Sequence, residues 1–166
     1  MVQLYLDCDG DLADFARGAT ELLGMPPRVF EKRRGLPAFG REIARHPDFY
    51  GTLPLMPDAM ILFEAVRQLD PIILTGLPRG KWAAPQKVRW AAEHFPGTRI
   101  LTVMAVDKRN RYRSGDILVD DQLKNAHLWQ DAGGTFVHHR SAEQTLAELS
   151  ALGMPVMAAP ADTAHG

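Results

Sequence analysis

Asp7 and Asp9 stand two residues apart at the end of an apolar run, Val2-Gln3-Leu4-Tyr5-Leu6, and Gly10 follows them. The run reads as a short buried strand, so two carboxylates fall where a strand stops and a loop begins. In an open α/β sheet that is where ligands bind. Alternate residues of an extended chain point the same way, and beyond the strand end the chain turns, so Asp7 and Asp9 can converge on one point. Two like charges brought together repel, and the cost falls when a cation or a shared proton lies between them. Oxygen-only ligands suit a hard cation such as Mg²⁺. Taken alone, the tetrapeptide Asp7-Cys8-Asp9-Gly10 fits a polar turn just as well, with Gly10 as the turn residue.

Later segments add to the pair. Pro71-Ile72-Ile73-Leu74 is a second buried-strand run and ends at Thr75-Gly76; Asp116-Ile117-Leu118-Val119 is a third and ends at Asp120-Asp121. Between them Asp107-Lys108 follows the strand-like run at 100–104. Strand ends thus carry a carboxylate pair, a hydroxyl and another carboxylate pair, with a lysine in a nearby loop. Phosphoryl transfer through an aspartyl intermediate needs such a set. It needs a carboxylate nucleophile, an acid/base group, a cation to offset phosphoryl charge, and hydroxyl, amide and ammonium donors around them.

In this order, Asp7-Cys8-Asp9-Gly10, Thr75-Gly76, Lys108 and Asp120-Asp121 resemble the four motifs of the haloacid dehalogenase superfamily, over residues 2–150. The stretch from Asp7 to Phe15, together with Asp107-Lys108 and Ile117 to Asp121, is similar to the 5′(3′)-deoxyribonucleotidase family. The resemblance implies a Rossmann-like parallel sheet with a small helical cap inserted after the first strand. It implies Asp7 as nucleophile and Asp9 as general acid/base. Thr75, Gly76 and Lys108 would bind the phosphate. Mg²⁺ would be held by Asp7, the backbone carbonyl of Asp9, and Asp120, with Asp121 in support. Asp11 departs from the pattern, because the narrower family usually has Val or Thr there. It is either a solvated carboxylate or one that alters metal affinity.

The rest of the chain supplies the scaffold. Apolar residues at helical spacing predict a helix over 12–23, closed by Gly24 and Pro26-Pro27. Short helices are expected at 28–34 and 37–45. Residues 12–54 are therefore read as a small lid over the strand ends, able to exclude water. The core, 1–11 and 55–152, resumes with Asp58 as expected N-cap of a helix at 59–69. Helices at 84–95, 122–131 and 142–152 then alternate with strands at 71–75, 100–104, 116–120 and 135–137. That alternation means a parallel sheet with helices on both faces. Residues 153–166 read as a loose tail.

Composition narrows the function. The chain has 166 residues, 46% hydrophobic and 23% charged, with a formal net charge of −1. No basic field draws it to duplex nucleic acid or to anionic lipid, and no apolar run reaches the ~20 residues of a membrane span. The single cysteine, and an N-terminus read as lacking a signal segment, point to a cytoplasmic protein. Cys8 is expected to face away from the site. Lys87, on a helix with Arg89 and Trp90, is read as solvated, as are Arg109, Arg111 and Arg113. Phe39, Phe49 and Trp82 are candidates for stacking on a base. Asn125 is read as facing solvent. The leading reading is a Mg²⁺-dependent phosphatase of small phosphomonoesters, most naturally nucleoside monophosphates. The alternatives are a sugar-phosphate or phosphoglycolate phosphatase, and a phospho-receiver signalling domain.

Overall fold

We describe a computed structural model covering residues 1–111 and 113–158. Its strands are β1 (Leu4–Leu6), β2 (Ile72–Gly76), β3 (Ile100–Val103), β4 (Ile117–Asp120) and β5 (Thr135–His138). They form one sheet in the order β3-β2-β1-β4-β5, and every pairing is parallel. Tyr5 pairs with Ile72 on one side and Leu118 on the other, so β1 is central. After β3 the chain crosses back to the far side of β1. The crevice for a ligand in such a sheet opens where that reversal occurs, at the carboxyl ends of the strands.

Continuous apolar runs make these strands because both faces of the sheet are covered. Period-two alternation sends Leu4, Leu6 and Ile73 into one core and Tyr5, Ile72, Leu74 and Leu118 into the other. The first core packs under helices α4 (Ala59–Val66), α5 (Ala83–His94) and α7 (Ala142–Ala151), which contribute Leu62, Trp90 and Leu149. The second is closed by Trp129 of α6 (Ala126–Asp131), whose ring meets Tyr5 edge-on at 5.5 Å.

Residues between β1 and α4 form a separate helical layer: α1 (Phe15–Leu23), α2 (Pro27–Arg34), α3 (Leu36–Arg45) and a 3₁₀ turn at Tyr50–Thr52. Its entry and exit run side by side. The Asp14 amide donates to Pro54 O at 2.7 Å, and the Met56 amide donates to Leu12 O at 2.7 Å. Asp14 also caps α1, accepting from the Arg17 amide. Phe15, at the start of α1, packs against Phe39, Phe49 and Tyr50. The layer is pinned to α5 by Trp90, whose Nε1–H donates to Leu53 O at 2.8 Å, and by Gln86, whose Oε1 accepts from the Tyr50 amide.

Some elements differ from the sequence expectation. The helix expected at 122–131 starts only at Ala126, because the Gln122 amide bonds the Asp120 carboxylate and holds the chain around the strand end. Asp58 precedes α4, but its side chain makes no capping bond there. It accepts instead from the Ala142 amide at 2.7 Å, in the first turn of α7, a helix far along the chain whose own N-cap is Ser141. The expected loose tail is tied down at its start. The Met157 amide donates to Ala65 O at 2.7 Å, and Met154 and Val156 pack on the core. The remainder of that tail, 159–166, lies outside the described residues. No described helix is long and apolar enough to cross a membrane.

Candidate active site

The carboxylates expected at the strand ends meet there. Asp7 follows β1 and is 6% exposed; Asp120 ends β4 and is 7% exposed. Lys108 joins them. It lies in a 3₁₀ segment, Ala105–Arg111, between β3 and β4, and its Nζ donates to Asp7 Oδ1 at 2.7 Å and to Asp120 Oδ2 at 2.8 Å. Burial drives its ammonium down, but Asp7 and Asp120 outweigh burial and hold its pKa above the usual lysine range. Asp7 shows the converse. Burial, with Asp120 beside it, pushes its carboxyl up to about 6 against the pull of Lys108.

Asp9 lies on the other side of the loop and meets a different ammonium. Lys87 Nζ donates to Asp9 Oδ2 at 2.7 Å, to Thr75 Oγ1 at 2.9 Å and to Gly76 O at 2.8 Å. It also sits 4.4 Å from the centroid of the Tyr50 ring. Lys87 is 2% exposed, so the expectation of a solvated helix position is overturned. The signal for this was in the sequence. The buried residues of α5 are Ala83, Gln86, Lys87, Trp90 and Ala91, a stripe at helical spacing that includes the lysine. Burial is the main cause that raises the Asp9 carboxyl, and Asp7 adds to it against Lys87. Asp9 Oδ1 is buried and has no hydrogen-bond partner among the described residues.

Asp121 packs beside the loop. Burial, then Asp7 and Asp120, push its carboxyl up to about 7. Gly10 makes room for it. Gly10 has φ +88°, and a Cβ there would lie 2.1 Å from Asp121 Oδ2. Asp11 is fully buried, not solvated, and accepts the Asp121 amide proton through Oδ1 at 3.1 Å. Burial and then Asp7 raise its carboxyl well above the ordinary range. One carboxylate oxygen from each of Asp7, Asp11, Asp120 and Asp121 lies within 4.8 Å of the others. All these donors are oxygens, the set a hard divalent cation prefers. Cys8 is buried, and burial followed by Asp9 raises its thiol, which keeps it unreactive.

A cavity of about 790 Å³ opens over this centre, lined by Asp7, Asp9, Gly76, Lys108, Asp120 and Asp121. Thr75 stands behind it, fully buried with its hydroxyl on Lys87. The helical layer lines the opposite side with Phe15, Arg28 and Tyr50. The stacking candidates fare differently. Phe49 is 2% exposed inside the core. Phe39 packs on Phe15 and Phe30, and Trp82 packs on Tyr50. The aromatic faces at the cavity near the insert are therefore Phe15 and Tyr50. Arg109 and Asn125 also line it, so Asn125 faces the cavity, while Arg111 and Arg113 are exposed.

Likeness to known proteins agrees with this architecture. No protein-family model matches the chain, and no curated protein matches it. Solved structures do. A hydrolase from Streptococcus pneumoniae TIGR4 superposes with a TM-score of 0.54 at 15% identity, over 92% of this chain and 98% of that one. A haloacid dehalogenase-like family hydrolase from Streptococcus pneumoniae gives 0.55 at 11% identity over 92% and 98%. The fold is haloacid dehalogenase-like. An L-2-haloacid dehalogenase from Xanthobacter autotrophicus, with chloropropionic acid covalently bound, superposes with a TM-score of 0.53 at 14% identity over 91% and 83%. At these identities the likeness speaks for the fold.

Proposed function

We propose that the protein is a hydrolase of small phosphomonoesters, with Asp7 as nucleophile. The observation that carries this reading is the division of two carboxylates between two lysines. Asp7 is held with Asp120 by Lys108, while Asp9 is held apart by Lys87. One carboxylate is thereby oriented for attack and the other for proton transfer. A divalent cation held by Asp7, the Asp9 carbonyl and Asp120, with Asp121 in support, would offset charge on the phosphoryl oxygens.

The chemistry runs in two displacements. An Asp7 carboxylate oxygen attacks phosphorus and the ester oxygen departs, taking a proton from Asp9. Asp9 Oδ1, which has no hydrogen-bond partner among the described residues, is free to carry that proton. Asp9 then accepts a proton from water as the water oxygen attacks phosphorus, and the Asp7 carboxylate leaves. Lys108 donates to the anionic centre, and Gly76 lets the backbone approach it. Thr75, held by Lys87, fixes the strand end behind the phosphate. The helical layer of residues 12–54 acts as the lid and excludes water from the intermediate.

The substrate is read as a nucleoside monophosphate, taken up in a reducing cytoplasm with Mg²⁺ as the cation. A cavity of about 790 Å³ with Phe15 and Tyr50 on its lid side suits a ligand with a flat ring. Dehalogenation is the second reading, since one of the similar folds is a dehalogenase. Asp9 argues against it: a halide leaves without a proton, whereas an alkoxide needs one. The test compares kcat/KM for dUMP, UMP, phosphoglycolate, a hexose phosphate and 2-chloropropionate, with Mg²⁺ present. The expected order puts the nucleotides first, deoxy above ribo. A tenfold lead for phosphoglycolate or the hexose phosphate rejects the nucleotidase reading and keeps the phosphatase. Turnover of the chloroacid alone rejects both.

A further inference from the structure

Asp11 is the one carboxylate of the cluster that the chemistry above leaves unused. It is fully buried, and its Oδ1 accepts the Asp121 amide proton. Its other oxygen, Oδ2, is buried with no hydrogen-bond partner among the described residues, and so is Oδ1 of Asp121. A carboxylate oxygen buried without a partner is costly, and native chains rarely keep one without a cation or a proton to meet it. Four carboxylates, from Asp7, Asp11, Asp120 and Asp121, converge within 4.8 Å. The ammonium bonded within that group is Lys108, and it bonds Asp7 and Asp120. Asp11 and Asp121 have no such ammonium partner among the described residues.

We infer that Asp11 is a ligand of the divalent cation, adding a carboxylate to those of Asp7 and Asp120, beside which it lies. This rests on the cation-dependent reading given above. The local backbone explains how the residue reaches the centre. Gly10 turns with φ +88°, and the Asp11, Leu12 and Ala13 amides all donate to Cys8 O. That tight loop carries Asp11 in toward Asp7 and Asp120 instead of out to solvent. The consequence is affinity. Cation sites of this oxygen type tighten with the number of charged ligands. A chain with Val or Thr at this place lacks the contribution, so the present protein should hold its cation more tightly than such a chain and exchange it less readily.

The test uses Asp11→Asn, which keeps an oxygen for the Asp121 amide and removes only the charge. Mg²⁺ and Mn²⁺ binding are measured by calorimetry, and melting is followed with chelator and with cation. Wild type should bind both cations. The variant should bind each about tenfold or more weakly, yet melt no lower than wild type in chelator, since without a cation the Asp11 carboxyl oxygen it replaces has no partner among the described residues to lose. Asp11→Val, an apolar side chain of similar size, should show the same loss of affinity. Equal cation affinity in wild type and both variants overturns the assignment and leaves the phosphatase reading standing. A variant that melts lower in chelator while binding cation normally also overturns it, because Asp11 would then be a structural acceptor. If wild type itself binds neither cation, this inference and the cation-dependent reading fall together.

Discussion

Lys87 and Lys108 divide the charge of the site between them. Lys108 lies among acceptors that are all carboxylates, so its loss would strand Asp7 and Asp120. Lys87 is a positioning residue: it holds Asp9, Thr75 and Gly76 in one arrangement without lining the cavity. Substituting Lys87→Met keeps the length of the side chain and removes the ammonium. Breaking a buried pair costs ~3–5 kcal/mol, and Asp9 is 26% exposed, which places the expected loss near the low end. Chemical denaturation reads that loss. The kinetic expectation is sharper. Without Lys87 the Asp9 carboxyl rises further, so the pH optimum moves upward, and kcat falls roughly 10²-fold through misplacement of Asp9. A kcat that falls with an unmoved pH profile would mean that Lys87 only supports the fold.

The strands and the polar residues at their ends were legible in the sequence because both are local. An apolar run ending in a polar residue marks a buried strand and its exit, and Asp7, Thr75 and Asp120 each sit at such an exit. What local pattern cannot give is the partner across space. Lys87 shares its helix with a charged neighbour, Arg89, which favours a solvated position, yet it lies on the face that Trp90, three residues on, buries. Asp11 fits either reading in the sequence, and the chain that turns at Gly10 buries it fully. Asp58 shows the same limit. It precedes a helix as a cap should, yet its carboxylate accepts an amide in the first turn of α7. Asp58→Ala should therefore destabilise the protein by about 1 kcal/mol, the usual worth of one hydrogen bond. The loss should appear as faster amide exchange at the start of α7 rather than α4. Unchanged exchange at Ala142 would contradict it.

Across the whole molecule the acidic centre ties stability to pH and to cation. Asp7 is pushed up to about 6 and Asp121 to about 7, both by burial first. In an unfolded chain an aspartate titrates near ~4. From about pH 4 to 7 the folded state therefore binds more protons than the unfolded one, and stability falls as pH rises through that window. Lys108 is raised as well, but its contribution is lost only in the alkaline range and does not alter the sign here. Melting the cation-free protein across this window should show a declining Tm. Adding Mg²⁺ should flatten the decline, because the cation binds the ionised carboxylates. A Tm that climbs with pH in chelator would contradict the burial of these groups.

The reading turns on a phosphoryl group passing through Asp7. The most direct measurement mixes the protein with a radiolabelled phosphomonoester in the presence of Mg²⁺, quenches with acid during turnover, and maps the label by peptide. The predicted result is a hydroxylamine-labile label on the peptide containing Asp7. It should form more slowly and also be lost more slowly in Asp9→Asn, which lacks both the acid and the base, and be absent in Asp7→Asn, which should not turn over. Steady phosphate release with no label on that peptide, or turnover by Asp7→Asn, would contradict it.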